Sequence, residues 1–181
     1  SDQWEIQAGL NFNHTQFELT NAFPTENYSK NKYDYDPIFA PQLSLLFHPN
    51  SNQTLYLSAS RGYSMPSIDE MLNEEGHVNS QIKPENGYNF EFGYKLNSAN
   101  KKLQLEFAAY HMIVDDLLVS QRIAEDQYVG VNAGETLHQG IELFARYKIP
   151  FIPNKWILTP YVSGNLGRYE FKEFVYEEND F

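Results

Sequence analysis

The 181-residue chain has no cysteine. That absence excludes a disulfide framework, a Cys-based zinc site and thiol chemistry. It also lacks an excess of positive charge: 13 Lys and Arg stand against 24 Asp and Glu, a formal net charge of −11. A basic nucleic-acid footprint is thereby excluded. Long apolar runs are missing too. None approaches the roughly 18 residues of a membrane-crossing helix, and mean hydropathy is −0.55. No basic stretch followed by an apolar one marks a signal peptide. What the chain does have is aromatics, 13 Tyr and 13 Phe with 2 Trp. That content argues against a disordered acidic polymer.

The strongest positive signal is alternation. Trp4, Ile6, Ala8, Leu10 and Phe12 are separated by Glu5, Gln7, Gly9 and Asn11. A period of two places successive side chains on opposite faces of a strand. The same pattern recurs around Leu43–Phe47, Leu55–Ala59, Tyr88–Tyr94, Leu103–Ala109, Ile141–Tyr147 and, less cleanly, Trp156–Ser163. About seven strands are expected, with short extra pieces at Leu117–Ser120 and Tyr128–Asn132. The connections alternate in kind. Pro49–Gln53, Asn97–Lys101 and Pro150–Lys155 are short, whereas Thr20–Ala40, Tyr63–Gly87 and Asp115–Gln139 are long, and another long segment starts near Arg168. Such alternation describes an antiparallel up-and-down meander with one trimmed rim and one elaborated rim. Within the second long loop, Ser67 and Glu70 have the spacing of a capping box, which suits one helical turn. The sequons at Asn13, Asn27 and Asn52 read as chance matches.

Two architectures satisfy this pattern. A soluble β-sandwich, as in an adhesin or other binding module, would turn one face into a core. A transmembrane barrel would turn it to lipid. Three features favour the barrel. The apolar face is rich in aromatics such as Trp4, Phe47, Tyr94, Tyr147 and Trp156, as in interfacial girdles. Strands of about 10 residues match a tilted crossing of the hydrocarbon layer. Long loops on one rim and short turns on the other are the outer-membrane arrangement. A wet lumen also accommodates Gln7, Asn11, Gln42, Asn89, Glu91, Glu106 and Glu142 at mid-strand, where a dry core would demand a partner for each. A small intact outer-membrane barrel is a further alternative, against which the odd strand number weighs.

Two segments carry a family resemblance. One is Ser60-Arg61-Gly62-Tyr63-Ser64-Met65-Pro66, followed by Lys83-Pro84-Glu85 and the strand containing Glu91-Phe92-Gly93. The other is Asn132-Ala133-Gly134-Glu135 leading to Gly140-Ile141-Glu142. In that order they resemble the barrel domain of TonB-dependent outer-membrane receptors, most clearly over Leu55–Arg146. The resemblance implies a partial β-barrel domain over 1–181, cut from a barrel of roughly 22 strands whose plug lies elsewhere in the full-length receptor. Phe181 fits a cut inside a loop, because Glu177 and Asn179 on its own face are polar. It further implies that Glu91 and Glu142 face the plug, as docking sites for arginines, because bidentate Arg–carboxylate pairs are strong and directional. Gly93 is expected to leave room in the lumen, and Gly62 to release its strand into the loop.

The implied partners are a ferric siderophore or related chelate, the receptor's own plug, TonB and the outer membrane of a Gram-negative cell. Vitamin B12, haem, other metal chelates and glycans are alternative cargoes. Ligand contacts are expected on the long loops at Tyr33, Tyr35, Tyr63, His77, Arg122 and Tyr128, since aromatics and arginine suit planar anionic chelates. The loops also carry acids, among them Asp34, Asp36, Glu70, Asp115 and Asp116. No spacing matches a Ca²⁺ loop, so neither a metal nor a cofactor is assigned. No catalytic residue is assigned either: the five histidines form no zinc-type pair, and the adjacent Asp115 and Asp116 point to opposite faces if in a strand. A lone seven-stranded piece has two open edges, and it is expected to self-associate.

Overall fold

The computed structural model describes residues 3–20, 30–72, 78–79, 81–124, 127–152 and 155–173. In chain order the elements are β1 (Trp4–Asn13), β2 (Gln16–Thr20), β3 (Lys30–Asp34), β4 (Ile38–Asn50), β5 (Gln53–Ser64), α1 (Ile68–Met71), β6 (Glu85–Asn97), β7 (Leu103–Asp115), β8 (Leu118–Ala124), β9 (Gln127–Asn132), β10 (Glu135–Tyr147), β11 (Ile149–Ile152), β12 (Trp156–Leu158) and β13 (Tyr161–Glu173). Seven of them form one sheet in the order β1-β4-β5-β6-β7-β10-β13. Every pairing in it is antiparallel. Three further hairpins, β2–β3, β8–β9 and β11–β12, stand apart from it.

The register turns the alternation into two faces. One row across the sheet runs Trp4, Phe47, Leu55, Tyr94, Phe107, Leu143, and the next runs Ile6, Leu45, Leu57, Phe92, Ala109, Ile141, Leu166. This face is bare: Ile6 is 71% exposed and Leu166 72%. A sandwich would cover it with a second sheet, and among the described residues none lies over it. The buried apolar side chains, Ile38, Ala40, Met71, Ile82, Ala133 and Leu137, gather instead at the long-loop end.

The opposite face is polar and carries two rows through its centre. The first is Glu5, Leu46, Tyr56, Gly93, Ala108, Glu142, Asn165; the second is Gln7, Ser44, Ser58, Glu91, Tyr110, Gly140, Gly167. Each row places a tyrosine beside a glycine. A Cβ on Gly93 would lie 2.1 Å from the Tyr56 ring, and one on Gly140 would lie 2.6 Å from the Tyr110 hydroxyl. The space at Gly93 is therefore filled from within the wall, by Tyr56 lying flat across it.

Some boundaries differ from expectation. The last wall strand is Tyr161–Glu173, not Trp156–Ser163. Pro160 lacks the N–H that a continuous ladder needs, and Trp156–Leu158 folds back on Ile149–Ile152. The strand was hard to see because its outward positions include Gly164, Arg168 and Glu170. Gly62 does not end its strand; it pairs with Gly87, and β5 continues to Ser64. The first long connection opens earlier than expected, after Asn13 rather than at Thr20, and carries the β2–β3 hairpin. The pieces anticipated near Leu117 and Tyr128 pair as β8–β9. The helical turn is present, with the Ser67 N–H donating to Glu70 Oε2 at 2.7 Å and the Glu70 N–H to Ser67 Oγ at 3.4 Å.

Gly93→Ala should displace the Tyr56 ring and break its hydrogen bond to Glu91, a charge-assisted bond of about 1.5–3 kcal/mol. In a Tyr56→Ala background the same change should be neutral or stabilising by about 0.5–1 kcal/mol, the cost of glycine inside a strand. Thermal unfolding of the four-member cycle in detergent checks this.

Candidate functional site

The long-loop end is held by side chains that bond to backbone. The Asn132 amide accepts from the Lys83 N–H at 2.9 Å and donates to the carbonyls of Lys83 and Asp116 at 3.0 and 2.7 Å. Glu85 accepts from the Leu118 N–H at 2.7 Å. Gly134 has φ 107°, a conformation that favours glycine, and its carbonyl accepts from the Leu117 N–H at 3.1 Å. The two motif segments, Lys83-Pro84-Glu85 and Asn132-Ala133-Gly134, are thus halves of one clasp between the second and third long loops. Sequence reading noticed both segments but not that they bind each other.

Arg61 makes a second tie. Pairing of β4 with β5 begins only at Gln42 and Ser60, although β4 continues alongside β1 to Ile38. Pro41, which has no N–H to give, sits where the two strands part. Arg61 reaches across, with Nη1 donating to the Phe39 carbonyl at 3.1 Å and Nη2 to Asn86 Oδ1 at 2.6 Å. Its guanidinium lies 5.8 Å from the Tyr88 ring centre.

The expected loop contacts fall into separate places. Tyr33 on β3 stacks on Phe17 at 5.0 Å, and Tyr35 lies 6.2 Å from the same ring. The Tyr35 hydroxyl donates to Met71 Sδ at 2.8 Å, and burial pushes its pKa up. Asp34 accepts from Gln16 Nε2 at 3.0 Å and lies 2.7 Å from His14 Nε2; that hydrogen bond with His14 holds its carboxyl below the usual range. The stability this adds is present above the ordinary Asp pKa and is lost as pH falls through the lowered value. Arg122 and Tyr128 face each other across β8–β9, with Tyr128 well exposed. Tyr63, near the end of β5, donates to Asn11 Oδ1 at 3.4 Å. His77 lies outside the described residues. Met71 links the first cluster to the third loop, because its helix rests on β9: a Cβ on Gly130 would stand 2.2 Å from the Glu70 carbonyl oxygen.

On the polar face, Glu91, Glu106 and Glu142 line an open depression of about 590 Å³ together with Tyr56, Lys95 and Asn165. Glu91 accepts from the Tyr56 hydroxyl at 2.5 Å, Glu142 from Asn165 Nδ2 at 3.0 Å and Glu106 from Gln104 Nε2 at 2.6 Å. Lys95 lies 5.3 Å from the Tyr56 ring centre. Among the described residues none of the three carboxylates has a cationic partner within ion-pair distance. Each accepts one side-chain hydrogen bond among the described residues, so further lone pairs stay open. Glu106 shares the lumen face that alternation gives it, whereas Tyr56, Lys95 and Asn165 are additions; the register across five strands, not any local motif, assembles them.

A bare apolar face, a polar concave face and rims of unequal length define a segment of an outer-membrane-type barrel wall. The model of the TonB dependent receptor-like β-barrel family matches residues 1–181, and the chain belongs to that family of outer-membrane transport receptors. Among solved structures it resembles the ferric yersiniabactin uptake receptor FyuA of Yersinia pestis (TM-score 0.67, 21% identity, 99% of this chain and 26% of that one). It also resembles the siderophore receptor PiuA of Acinetobacter baumannii (0.66, 21%, 95% and 24%) and the copper transporter OprC (0.64, 20%, 93% and 27%). At these identities the likeness is one of fold. The chain spans about a quarter of the length of each.

Asn132→Ala should loosen the clasp without unfolding the wall. Losing its three bonds at a partly exposed site should cost about 1–3 kcal/mol. Limited proteolysis should then cut within 63–84 or 117–134 earlier than in the unaltered protein, while the seven wall strands stay protected.

Proposed function

We propose that this chain is part of the barrel of a receptor for active uptake of a ferric siderophore or a similar scarce ligand, driven through TonB. The plug and the remaining strands are supplied by other parts of the full-length receptor. The observation that carries this reading is the trio of interior carboxylates that have no cationic partner among the described residues. Their desolvation inside a filled barrel would be costly unless an opposite charge arrived with the filling. Glu91 and Glu142 therefore serve as docking points for plug arginines. Tyr33, Tyr35, Tyr63, His77, Arg122 and Tyr128 serve as contacts for the incoming ligand, with the aromatic groups stacking on it and the arginine offering charge. Siderophore receptors among the structural relatives support this cargo class.

Uptake of ⁵⁵Fe-labelled siderophore by a strain lacking the receptor, complemented with the full-length gene, tests the reading. The Glu91→Ala and Glu142→Ala double variant should lose most uptake while keeping cell-surface ligand binding. Unchanged uptake would remove the docking role, and indifference of the complemented strain to every ferric siderophore tried would remove the cargo. Expressed alone, the 181 residues should self-associate through the edges of β1 and β13. Light scattering should give a mass well above the monomer's 21.0 kDa.

A further inference from the structure

The β11–β12 hairpin hangs from the short-turn rim between β10 and β13, outside the wall sheet. Its large side chains are apolar and open to the surroundings: Phe151 is 72% exposed, Ile157 69% and Trp156 67%. Ile149 and Leu158 form a directly opposed pair, as do Pro150 and Ile157, so both faces of the hairpin are apolar. A simple extension of the wall would keep one wet face, as the rest of the sheet does. Phe151, Trp156, Ile157 and Leu158 surround an apolar hollow of about 450 Å³. An exposed patch of this kind marks a contact surface.

Charge identifies the occupant. Lys148 precedes the hairpin, Lys155 lies in its turn, and Lys101 and Lys102 occupy the neighbouring β6–β7 turn. The Lys148 N–H donates to the Lys102 carbonyl at 2.8 Å, which holds the two turns together. Neither 97–103 nor 147–160 contains an acidic residue, in a chain with 24 of them. Directly above the hairpin, Leu143, Tyr147 and Val162 continue the exposed apolar face of the wall. Apolar and aromatic side chains flanked by lysines, continuous with a lipid-facing wall, fit the interface between anionic headgroups and acyl chains.

We infer that β11–β12 is an interfacial anchor that inserts into the phospholipid leaflet on the short-turn side, with Lys101, Lys102, Lys148 and Lys155 meeting the lipid phosphates. The inference rests on the membrane orientation of the family and not on the cargo or the plug. The test uses the full-length receptor in vesicles of phosphatidylethanolamine and phosphatidylglycerol. A nitroxide is placed at Ile157→Cys or, as a control on another short turn, at Asn52→Cys. Its collision rates with oxygen and with a water-soluble nickel chelate are compared. The oxygen-to-nickel ratio at 157 should be several-fold above that at 52. Replacing phosphatidylglycerol by phosphatidylcholine, or introducing Lys148→Glu with Lys155→Glu, should reduce it. Equal ratios at the two sites would overturn the anchor, as would a label at 157 shielded from both reagents, which would mean that protein covers the hairpin. A ratio insensitive to lipid charge and to the lysine changes would overturn the pairing of the lysines with anionic headgroups.

Discussion

Hydrocarbon offers no partner to a peptide N–H or C=O, so a wall that stands in it must satisfy its own backbone. An antiparallel sheet does so, and this single requirement shapes most of the molecule. Hydrogen bonds along every wall strand fix the register, and the register fixes which side chains face lipid and which face the interior. Acidic composition and a polar mean hydropathy are compatible with a membrane for that reason: half of each strand is free to be polar. The same requirement explains the irregularities. Where Pro41 removes a donor and β4 parts from β5, the Arg61 guanidinium supplies a hydrogen bond to the orphaned Phe39 carbonyl.

Inside the wall the constraint changes from backbone to volume. Tyr56 and Tyr110 lie across glycines of neighbouring strands, so at these two places the interior surface is covered by a flat phenol. A side chain at Gly93 would displace only a ring, whereas one at Gly140 would also meet the Leu166 carbonyl at 2.6 Å. The second glycine is therefore fixed by backbone approach and the first by its tyrosine. The hydroxyl of Tyr56 points to Glu91 as a consequence of lying flat. Packing thus sets which Glu91 oxygen is engaged within the wall.

How much of this was legible in the sequence depended on range. Period-two alternation located the wall strands through β10, because the two lipid-facing rows through Leu55 and Leu57 are apolar nearly throughout. It failed at β13, where Gly164, Arg168 and Glu170 stand in outward positions, while the alternating Trp156 and Leu158 belong to the separate β11–β12 hairpin. The capping box at Ser67 and Glu70 was legible because both partners lie within one turn. The Asn132 clasp was not, since it joins residues 49 apart in sequence by side chain to backbone bonds. The interior carboxylates could be assigned to a face from parity alone. Their grouping with Tyr56 and Lys95 required the cross-strand register. The loop residues fared worst, because Tyr33 with Tyr35, Arg122 with Tyr128, and Tyr63 occupy three places that alternation does not relate.

Two of the three places, Tyr33 with Tyr35 and Arg122 with Tyr128, are nevertheless mechanically joined. Tyr35 is bonded to Met71, the helix carrying Met71 rests on Gly130 of β9, and β9 ends at Asn132, which holds Lys83 at the mouth of β6. β6 in turn carries Glu91 on the interior face. A ligand that shifted the aromatic cluster on β2–β3 would therefore press on the segment that sets the start of β6, rather than on a free loop. The clasp makes the long-loop end a connected layer above the carboxylates. In that layer the motif residues act by fixing loops to one another, and side chains such as Tyr128 are left exposed.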